Sequence, residues 1–318
     1  MNILLTGSVA YDYLMTFPGL FKEQILPERL EKISLSFLVD SMSRQHGGIA
    51  PNIAYTMALL GEHPHVMATV GEDFGEYRAW LESKGVDTVL MQVVPGLYTA
   101  SFFATTDQSN AQIASFYPGA MGVAARQSLH EVQERPDLVV VSPNSPEAMT
   151  KFAAECRELK IPYLYDPSQQ ILRLEGPELA RDMEGAHFLF VNDYEFGLIS
   201  KKTGLDLAHM LQHVDVIVVT RGKDGSSVYA DGKECNIPVV SEVCIVDPTG
   251  VGDAFRAGFL SGYAHGWSWE LCGQMGSLAA TYCLEQKGPQ NHSFTRLGFV
   301  KRFREHFYDQ GILDALIL

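Results

Sequence analysis

The sequence predicts an α/β fold: a three-layer αβα domain, in which helices cover both faces of a mostly parallel central sheet, plus a small separate β-sheet lid. Short apolar runs alternate with helical segments along most of the chain, and this alternation is typical of βαβ units. Residues 13–46 and 96–118 break the alternation with strand-like patterns. After Val251 the chain turns mainly helical.

The large domain is predicted to comprise residues 1–12, 47–95 and 119–318. Three segments between the apolar runs carry helical spacing, at residues 51–61, 74–85 and 145–160. The buried strands are expected at residues 2–8, 65–71, 137–142, 162–166, 187–192 and 215–220.

The lid is predicted from residues 13–46 and 96–118. Within the first segment, residues 31–45 (EKISLSFLVDSMSRQ) alternate as a half-exposed strand does. In the second, residues 97–104 and 111–117 flank a polar turn and predict a hairpin. Because uncovered sheet edges and faces tend to be paired, we expect a homodimer that forms through the lid.

The composition of the 318-residue chain limits the kinds of binding partner that we expect. Its net charge of −14 disfavours nucleic acid and anionic membranes, so a small-molecule substrate is expected. No apolar run approaches the roughly 20 residues of a membrane span. The N-terminus resembles a first strand more than a signal peptide, so a cytoplasmic location is expected. The five cysteines contain no C-x-x-C pair, which favours reduced thiols over a zinc site.

A glycine-rich stretch, DPTGVGDAF, occupies residues 247–255. A dinucleotide-binding fingerprint would need glycine in place of Phe255, and the G-K-[ST] of a Walker loop is absent. Free amides at the start of a helix bind an anion, and Asp253 beside them is suited to act as general base for a hydroxyl that attacks a phosphate. From spacing alone, Asp253 as a simple helix cap remains an equal alternative.

DPTGVGDAFRAGF, together with GGIAPNIAYTMALLG at residues 47–61, resembles the two signatures of the ribokinase-like (PfkB) family of small-molecule kinases. The two occur in the expected order, although Pro51 replaces the usual small residue. The resemblance implies a ribokinase-like fold, with ATP as phosphate donor and Mg²⁺ as cofactor. It also implies that Asp253 is the catalytic base and that Gly250 and Gly252 belong to the catalytic anion site.

The same resemblance implies a sugar site near the start of the chain. Asp12 would accept hydrogen bonds from two vicinal hydroxyls, and the glycines would let the sugar lie against the backbone. Without the resemblance, Asp12 after a strand would more often be a turn residue. Residues 47–52 would then be a turn followed by a helix whose Asn52 faces solvent. The implied substrate residues here are Ser8, Asp12, Gly47, Gly48 and Asn52.

On the phosphate side, VNDYEF matches the N-x-x-E motif that in the family supports magnesium and phosphate through water. The resemblance therefore implies that Asn192 contacts ATP as well. Asn192 and Glu195 have the spacing of a capping box as well, and the two roles are compatible. The resemblance further implies a monovalent cation, such as K⁺, beside Asp247. The segment VVTRGKDGSSVYA is a strand, turn and strand that would contact ATP through Thr220, Arg221, Gly222, Gly225 and, from the helix start, Gly252.

Five other stretches resemble bacterial adenosine kinases of the actinobacterial type, and they imply phosphorylation of the 5′-hydroxyl of adenosine to AMP in purine salvage. These stretches are LEKISLSFLVD, AQIASFYPGAM, YDPSQQ, FVNDYE and KGPQNHSFT. A flat purine needs an apolar slot and a few polar groups at its edge. The implied base contacts are Ser36, Phe102, Phe116, Met121, Gln169 and Gln170.

Three alternatives remain open. Sheet packing explains Phe102 and Phe116 without any ligand. A sugar kinase for ribose, fructose or a sugar phosphate is a second reading, because Lys32 and Arg44 in the lid are suited to a substrate phosphate. Another nucleoside kinase, or a nucleoside-binding protein without turnover, is the third.

Overall fold

The computed structural model describes residues 1–25, 31, 34–241 and 244–318. Within these ranges, no helix combines the length and the apolar character that a bilayer crossing requires. The strands of the described residues are β1 (Ile3–Thr6), β2 (Ala10–Thr16), β3 (Ser41–Gly47), β4 (His65–Val70), β5 (Met91–Val93), β6 (Ala100–Thr106), β7 (Gln112–Tyr117), β8 (Leu138–Val141), β9 (Tyr163–Tyr165), β10 (Ala186–Asn192), β11 (Val214–Thr220), β12 (Ser226–Ala230) and β13 (Lys233–Ile237).

The larger sheet has nine strands in the order β13-β12-β11-β10-β9-β8-β1-β4-β5. Its neighbours pair in parallel from β11 to β5, and only the β11–β12 and β12–β13 pairs are antiparallel. The mostly parallel sheet is therefore confirmed. All six predicted strands are present, each within two residues of its predicted ends.

Helices cover both faces of this sheet, as predicted. The α-helices of the described residues are α1 (Phe21–Gln24), α2 (Ile49–Leu60), α3 (Gly75–Ser83), α4 (Pro146–Leu159), α5 (Gly176–Met183), α6 (Asp193–Thr203), α7 (Leu207–Met210), α8 (Val251–Ala264), α9 (Trp269–Leu284) and α10 (Arg296–His306). Neighbouring β1 side chains point to opposite faces: Ile3 and Leu5 pack with α2, α3 and α8, whereas Leu4 packs with α4, α5 and α6.

The lid is a separate four-stranded sheet in the order β3-β2-β6-β7. The predicted hairpin corresponds to β6 and β7, which pair antiparallel. The strand predicted over residues 31–45 begins only at Ser41, and residues 34–39 have no regular structure. The reason is register: β2 ends at Thr16, which pairs with Ser41, so earlier residues lack a partner strand. Lys32 lies outside the described residues.

Two of the points at which the chain passes between the lid and the large domain lie side by side. Ala10 at the start of β2 pairs with Gly47 at the end of β3. Asp12 and Gly47 therefore lie within the lid strands, beside the junction, and Gly48 begins the return into α2. We call residues 8–12 and 47–49 the hinge.

Candidate active site

The carboxyl ends of four parallel strands carry polar residues at one edge of the large sheet. Ser8 follows β1 and Asp166 follows β9, while Asn192 and Thr220 end β10 and β11 and pair with each other. In parallel sheets, ligands bind at this edge. The hinge and the start of α8 meet at the same edge, since Asn52 of α2 contacts Asp253.

The first turn of α8 carries Asp253. Gly250 precedes it with a φ of +77°, and a Cβ on Gly250 would lie 2.4 Å from the Cβ of Pro289. Glycine therefore suits both the left-handed backbone and the lack of space. The first helical hydrogen bond runs from the Ala254 amide to the Gly250 carbonyl at 2.9 Å. The amides of Gly252 and Asp253 come before it and stay available to an anion.

The Asp253 carboxylate is unusually basic. Burial raises its pKa from 3.8 to about 7, and this rise persists against the nearby Arg256 charge and a hydrogen bond from Asn52, both of which lower it. Asn52 Nδ2 donates to Asp253 Oδ2 at 2.8 Å, so Oδ1 is the oxygen that can accept a substrate proton. A carboxylate that titrates near neutral pH is suited to general-base catalysis.

A buried ion pair lies beside Asp253. Arg256 follows it by one helical turn, with Nε 2.6 Å from Asp166 Oδ2 and Nη2 donating to Oδ1 at 2.9 Å. Ser168 Oγ also donates to Oδ1 at 2.8 Å. Arg256 is 8% exposed and Asp166 0%, so water screens this charge weakly. A Cβ on Gly252 would lie 2.9 Å from Arg256 Nη1, which places the guanidinium directly behind the anion site.

Neither partner of this ion pair was among the residues predicted from the sequence. The available signal was an arginine between two residues, Phe255 and Ala257, that the helical pattern buries. A buried arginine requires a carboxylate partner, and the stretch YDPSQQ supplied Asp166. The partner itself follows only from the fold, because the two residues are 90 positions apart.

The hinge brings the predicted sugar-site residues together. A Cβ on Gly47 would lie 2.5 Å from Asp12 Oδ2, and one on Gly48, whose φ is +93°, would lie 2.5 Å from the Ser8 carbonyl. Position 48 therefore requires glycine, whereas a side chain at position 47 would have to displace the Asp12 carboxylate. Ser8 Oγ accepts a hydrogen bond from the Ile49 amide at 3.2 Å, so Ser8 also holds the start of α2.

The Asp12 carboxyl group is partly removed from solvent, which changes its pKa. Burial raises its pKa from 3.8 to about 6, and the charge of Asp247 adds to the rise. Above that pH its two oxygens accept hydrogen bonds only. This is the requirement for holding a vicinal diol.

Phe102 and Phe116 lie in one row with Asp12 across the lid. Asp12 pairs with Phe102, and Phe102 pairs with Phe116, so the three side chains share a face. Gln45 continues the row on the other side of Asp12. Phe116 is 49% exposed, so its ring leaves apolar surface that a ligand can cover. The row places two aromatic rings next to a carboxylate.

The other predicted base contacts lie outside this row. Met121 is 5% exposed and packs on Ala10 and Ala100 at the base of the lid. The remaining three are Ser36, exposed in the irregular segment 34–39, Gln169, exposed after β9, and Gln170, buried in the same turn.

A cavity of about 440 Å³ adjoins the anion site. This volume is in the range of small-molecule pockets, and the walls include Val239, Ile245 and Leu284. Gly225 has a φ of +83°, and its Cβ would lie 2.2 Å from the Ile237 carbonyl. The predicted nucleotide contacts that line the cavity are Thr220, Gly222, Gly225 and Gly252.

Arg221, the other nucleotide contact predicted in this segment, is not among the residues that line the cavity. Its guanidinium donates to Ser227 Oγ and, at 2.9 Å, to the Tyr229 hydroxyl. It therefore braces the β11–β12 hairpin. The positive charge at the cavity comes from Lys223, which lines the wall.

Asn192 and Glu195 form the capping box that the sequence allowed. The Glu195 amide donates to Asn192 Oδ1 at 2.8 Å, and the Asn192 amide donates to Glu195 Oε2 at 2.9 Å. Burial raises the pKa of Glu195. The capping box uses one oxygen of the Glu195 carboxylate, Oε2, and leaves the other free. A carboxylate oxygen is the hard ligand that Mg²⁺ prefers.

Asp247 ties two loops together. Its Oδ1 accepts from the Thr249 amide and its Oδ2 from the Gly288 amide, each at 2.9 Å. Partial burial alone would raise the pKa of Asp247, but these hydrogen bonds lower it below its ordinary value. The carboxylate is therefore ionised close to Asp12, whose pKa it raises.

The sequence pattern of the pfkB family carbohydrate kinases matches residues 6–296. The chain belongs to this family. It is therefore a phosphotransferase with an alcohol group as acceptor, and the predicted ribokinase-like fold is confirmed. Kinases of this family use ATP.

Characterised relatives extend the comparison. The structure of a Burkholderia thailandensis nucleoside kinase in complex with inosine is 36% identical, with a TM-score of 0.85 and 96% of this chain and 98% of that chain covered. Its complex with ADP-inosine has 37% identity and a TM-score of 0.83, covering 96% of each chain. A nucleoside kinase of Methanothermobacter thermautotrophicus is 30% identical over 95% of both chains. Their names specify nucleosides without restriction to adenosine.

For this pfkB-family kinase, Gly47→Ala is expected to weaken substrate binding at least about tenfold, since the new methyl group displaces a charged hydrogen-bond acceptor, Asp12. Calorimetric titration with the substrate measures the effect. Gly75→Ala is the matched control, because a Cβ there meets no atom within 4 Å. Equal affinity of the two variants would contradict the role of the hinge.

Proposed function

We propose that this protein is an ATP-dependent nucleoside kinase that phosphorylates the 5′-hydroxyl of a purine nucleoside, with adenosine, giving AMP, as the first candidate. The observation that carries the proposal is the row formed by Asp12, Phe102 and Phe116. A carboxylate for a ribose diol stands beside aromatic rings for a flat base, and a free sugar would leave those rings unused.

The chemistry follows from the geometry around Asp253. Its Oδ1 takes the proton of the 5′-hydroxyl, and that oxygen attacks the γ-phosphorus in line with the bond to the β-phosphate oxygen. As the new P–O bond forms, the old one breaks and ADP leaves with the electron pair. The amides of Gly252 and Asp253 stabilise the charge on the transferring group, with Arg256 behind them. Asn52 orients the base through its hydrogen bond to Oδ2.

ATP would occupy the cavity beside α8, with its base among Val239, Ile245 and Leu284. Mg²⁺, when bound, supplies positive charge that offsets the phosphates. Glu195, with Asn192, would hold it through water, as its free carboxylate oxygen allows. A monovalent cation beside Asp247 is a further part of the proposal, and so is a cytoplasmic location.

A substrate panel tests the assignment. Purified protein with ATP and magnesium is supplied with adenosine, inosine, guanosine, cytidine, ribose, fructose and fructose 6-phosphate, and ADP release is followed. We expect the highest kcat/KM for adenosine, with inosine second because the Burkholderia thailandensis relative was solved with it. Turnover of a sugar without turnover of any nucleoside would contradict the nucleoside assignment and favour the sugar-kinase alternative.

We also propose a homodimer formed through the outer face of the lid, opposite the Asp12 row. Met42 and Ile113 lie in one row of that face and are 65% and 42% exposed. Light scattering is expected to give a dimer for the wild type and a monomer for Met42→Glu/Ile113→Glu. Val89→Glu, at a residue 83% exposed outside the lid, is the control and should stay dimeric. A monomeric wild type would contradict this assembly.

A further inference from the structure

Gln290 lies behind the catalytic aspartate, at a position to which no signature motif assigns a role. Its Nε2 donates to Asn52 Oδ1 at 2.9 Å, and Asn52 Nδ2 donates to Asp253 Oδ2 at 2.8 Å. Gln290 and Asn52 are only 3% and 6% exposed, so water does not compete for these bonds. A side-chain amide fits its site in two orientations, one the reverse of the other. Something must therefore fix the orientation of each amide.

Two neighbouring groups fix the orientation of Gln290. Trp80 Nε1, which can only donate, contacts Gln290 Oε1 at 3.2 Å. The Tyr77 hydroxyl gives its single proton to the Gly47 carbonyl at 3.0 Å, so its oxygen must accept from Gln290 Nε2. Both contacts require the NH₂ group of Gln290 to face Tyr77 and Asn52.

The orientation of Gln290 then determines that of Asn52. Because the Gln290 NH₂ group faces Asn52, Asn52 must present its oxygen to Gln290 and its own NH₂ group to Asp253. The reverse orientation would set the Asn52 oxygen against the Asp253 carboxylate, where it would repel the ionised form. The hydrogen bond from Asn52 lowers the pKa of Asp253 against the effect of burial.

We propose that Trp80, Tyr77 and Gln290 are positioning residues, which fix the direction of the Asn52 amide and so hold Asp253 aligned for proton transfer. The inference rests on the proposed function of Asp253 as general base. Their effect on Asp253 passes through Asn52, the residue that bonds both to Gln290 and to Asp253. They belong to α3 and to the segment after α9, so the base is oriented by parts of the chain that carry neither signature.

The first test compares Gln290→Met with Thr56→Val. The methionine keeps the length of the side chain and removes both polar ends. We expect kcat at pH 7 to fall roughly tenfold and the acid limb of the kcat profile to move to higher pH, with KM for the nucleoside nearly unchanged. Thr56, fully buried one turn after Asn52, contacts His292 and the backbone carbonyl of Asn52. It has no hydrogen bond to the Asn52 side-chain amide, whose direction is under test. Thr56→Val should keep the wild-type profile.

The second test removes the two groups that fix the orientation of Gln290. Trp80→Phe removes the donor and Tyr77→Phe removes the hydroxyl, and either remaining group still fixes the orientation of Gln290. The double variant is therefore expected to lose more activity than the product of the two single losses. In an Asn52→Ala background, Gln290→Met should have no further effect on kcat. Simple additivity in both cycles would overturn the proposal.

A readout without turnover separates this inference from the proposed function. In protein with ¹³C-labelled aspartate carboxyls, the Asp253 resonance, assigned with Asp253→Asn, should titrate at higher pH in Gln290→Met than in wild type and Thr56→Val. A wild type that phosphorylates no nucleoside would contradict the proposed function and leave this comparison valid. Unchanged titration in Gln290→Met would overturn the positioning role.

Discussion

Asp253→Asn is expected to lower kcat by about three orders of magnitude while adenosine and ATP still bind. The amide keeps the shape of the side chain and still accepts from Asn52 Nδ2, but it cannot take the 5′-hydroxyl proton. Rapid-quench kinetics and calorimetric binding measure the two effects. Asp231→Asn is the control, because Asp231 is an exposed turn residue with a φ of +52° that asparagine adopts equally well.

The same variant is expected to be more stable than the wild type at neutral pH. The pKa of Asp253 in the folded protein, about 7, lies above its ordinary value of 3.8, so the folded state favours the protonated acid. The wild-type free energy of unfolding therefore falls as pH rises from about 4 to about 7, and the asparagine variant lacks that part of the fall. Near-normal turnover, or the same pH dependence of unfolding in both proteins, would contradict the assigned environment of Asp253.

Arg256→Met is expected to destabilise the protein by about 3–5 kcal/mol, because it leaves the buried Asp166 carboxylate without its ion pair. It also removes the positive charge that lowers the pKa of Asp253. The acid limb of the kcat profile should therefore move to higher pH. Urea unfolding gives the first quantity and a pH series of kcat the second.

Arg256→Met/Asp166→Leu separates stability from chemistry. Replacing both buried charges by apolar side chains of similar size is often neutral for stability, so the double variant should recover most of the lost free energy of unfolding. It should keep a shift of the pH profile to higher pH, smaller than in Arg256→Met, because the guanidinium that lowers the pKa of Asp253 is absent and so is the weaker Asp166 charge that raises it. Recovery of the wild-type profile by the double variant would show that Arg256 acts only through the fold.

Local patterns predicted most of the fold. The β1 segment and the β6–β7 hairpin could be identified because apolar alternation and turn residues report directly on burial. The N-terminal boundary of β3 could not, because it depends on where β2 stops at Thr16. Where a strand begins or ends depends on its pairing with distant segments, and this pairing cannot be deduced from a single sequence.

In the candidate site, too, some residues could be predicted from local sequence motifs, and others could not because they depend on distant partners. Asp253, Gly47 and Gly48 lie within motifs whose glycines have a local physical reason, and the structure supplies that reason in positive φ values and short Cβ contacts. Arg256 and Gln290 depend on partners far away in the chain, Asp166 and Asn52. Their roles appear only when the fold brings those partners together.

The most direct test is transfer of the γ-phosphate of ³²P-labelled ATP to adenosine by the wild type and by Asp253→Asn, with the product identified by chromatography. The account predicts labelled 5′-AMP from the wild type and roughly a thousandfold less from the variant, at equal occupancy by adenosine. Label that appears on no nucleoside, or at a comparable rate with both proteins, would contradict it.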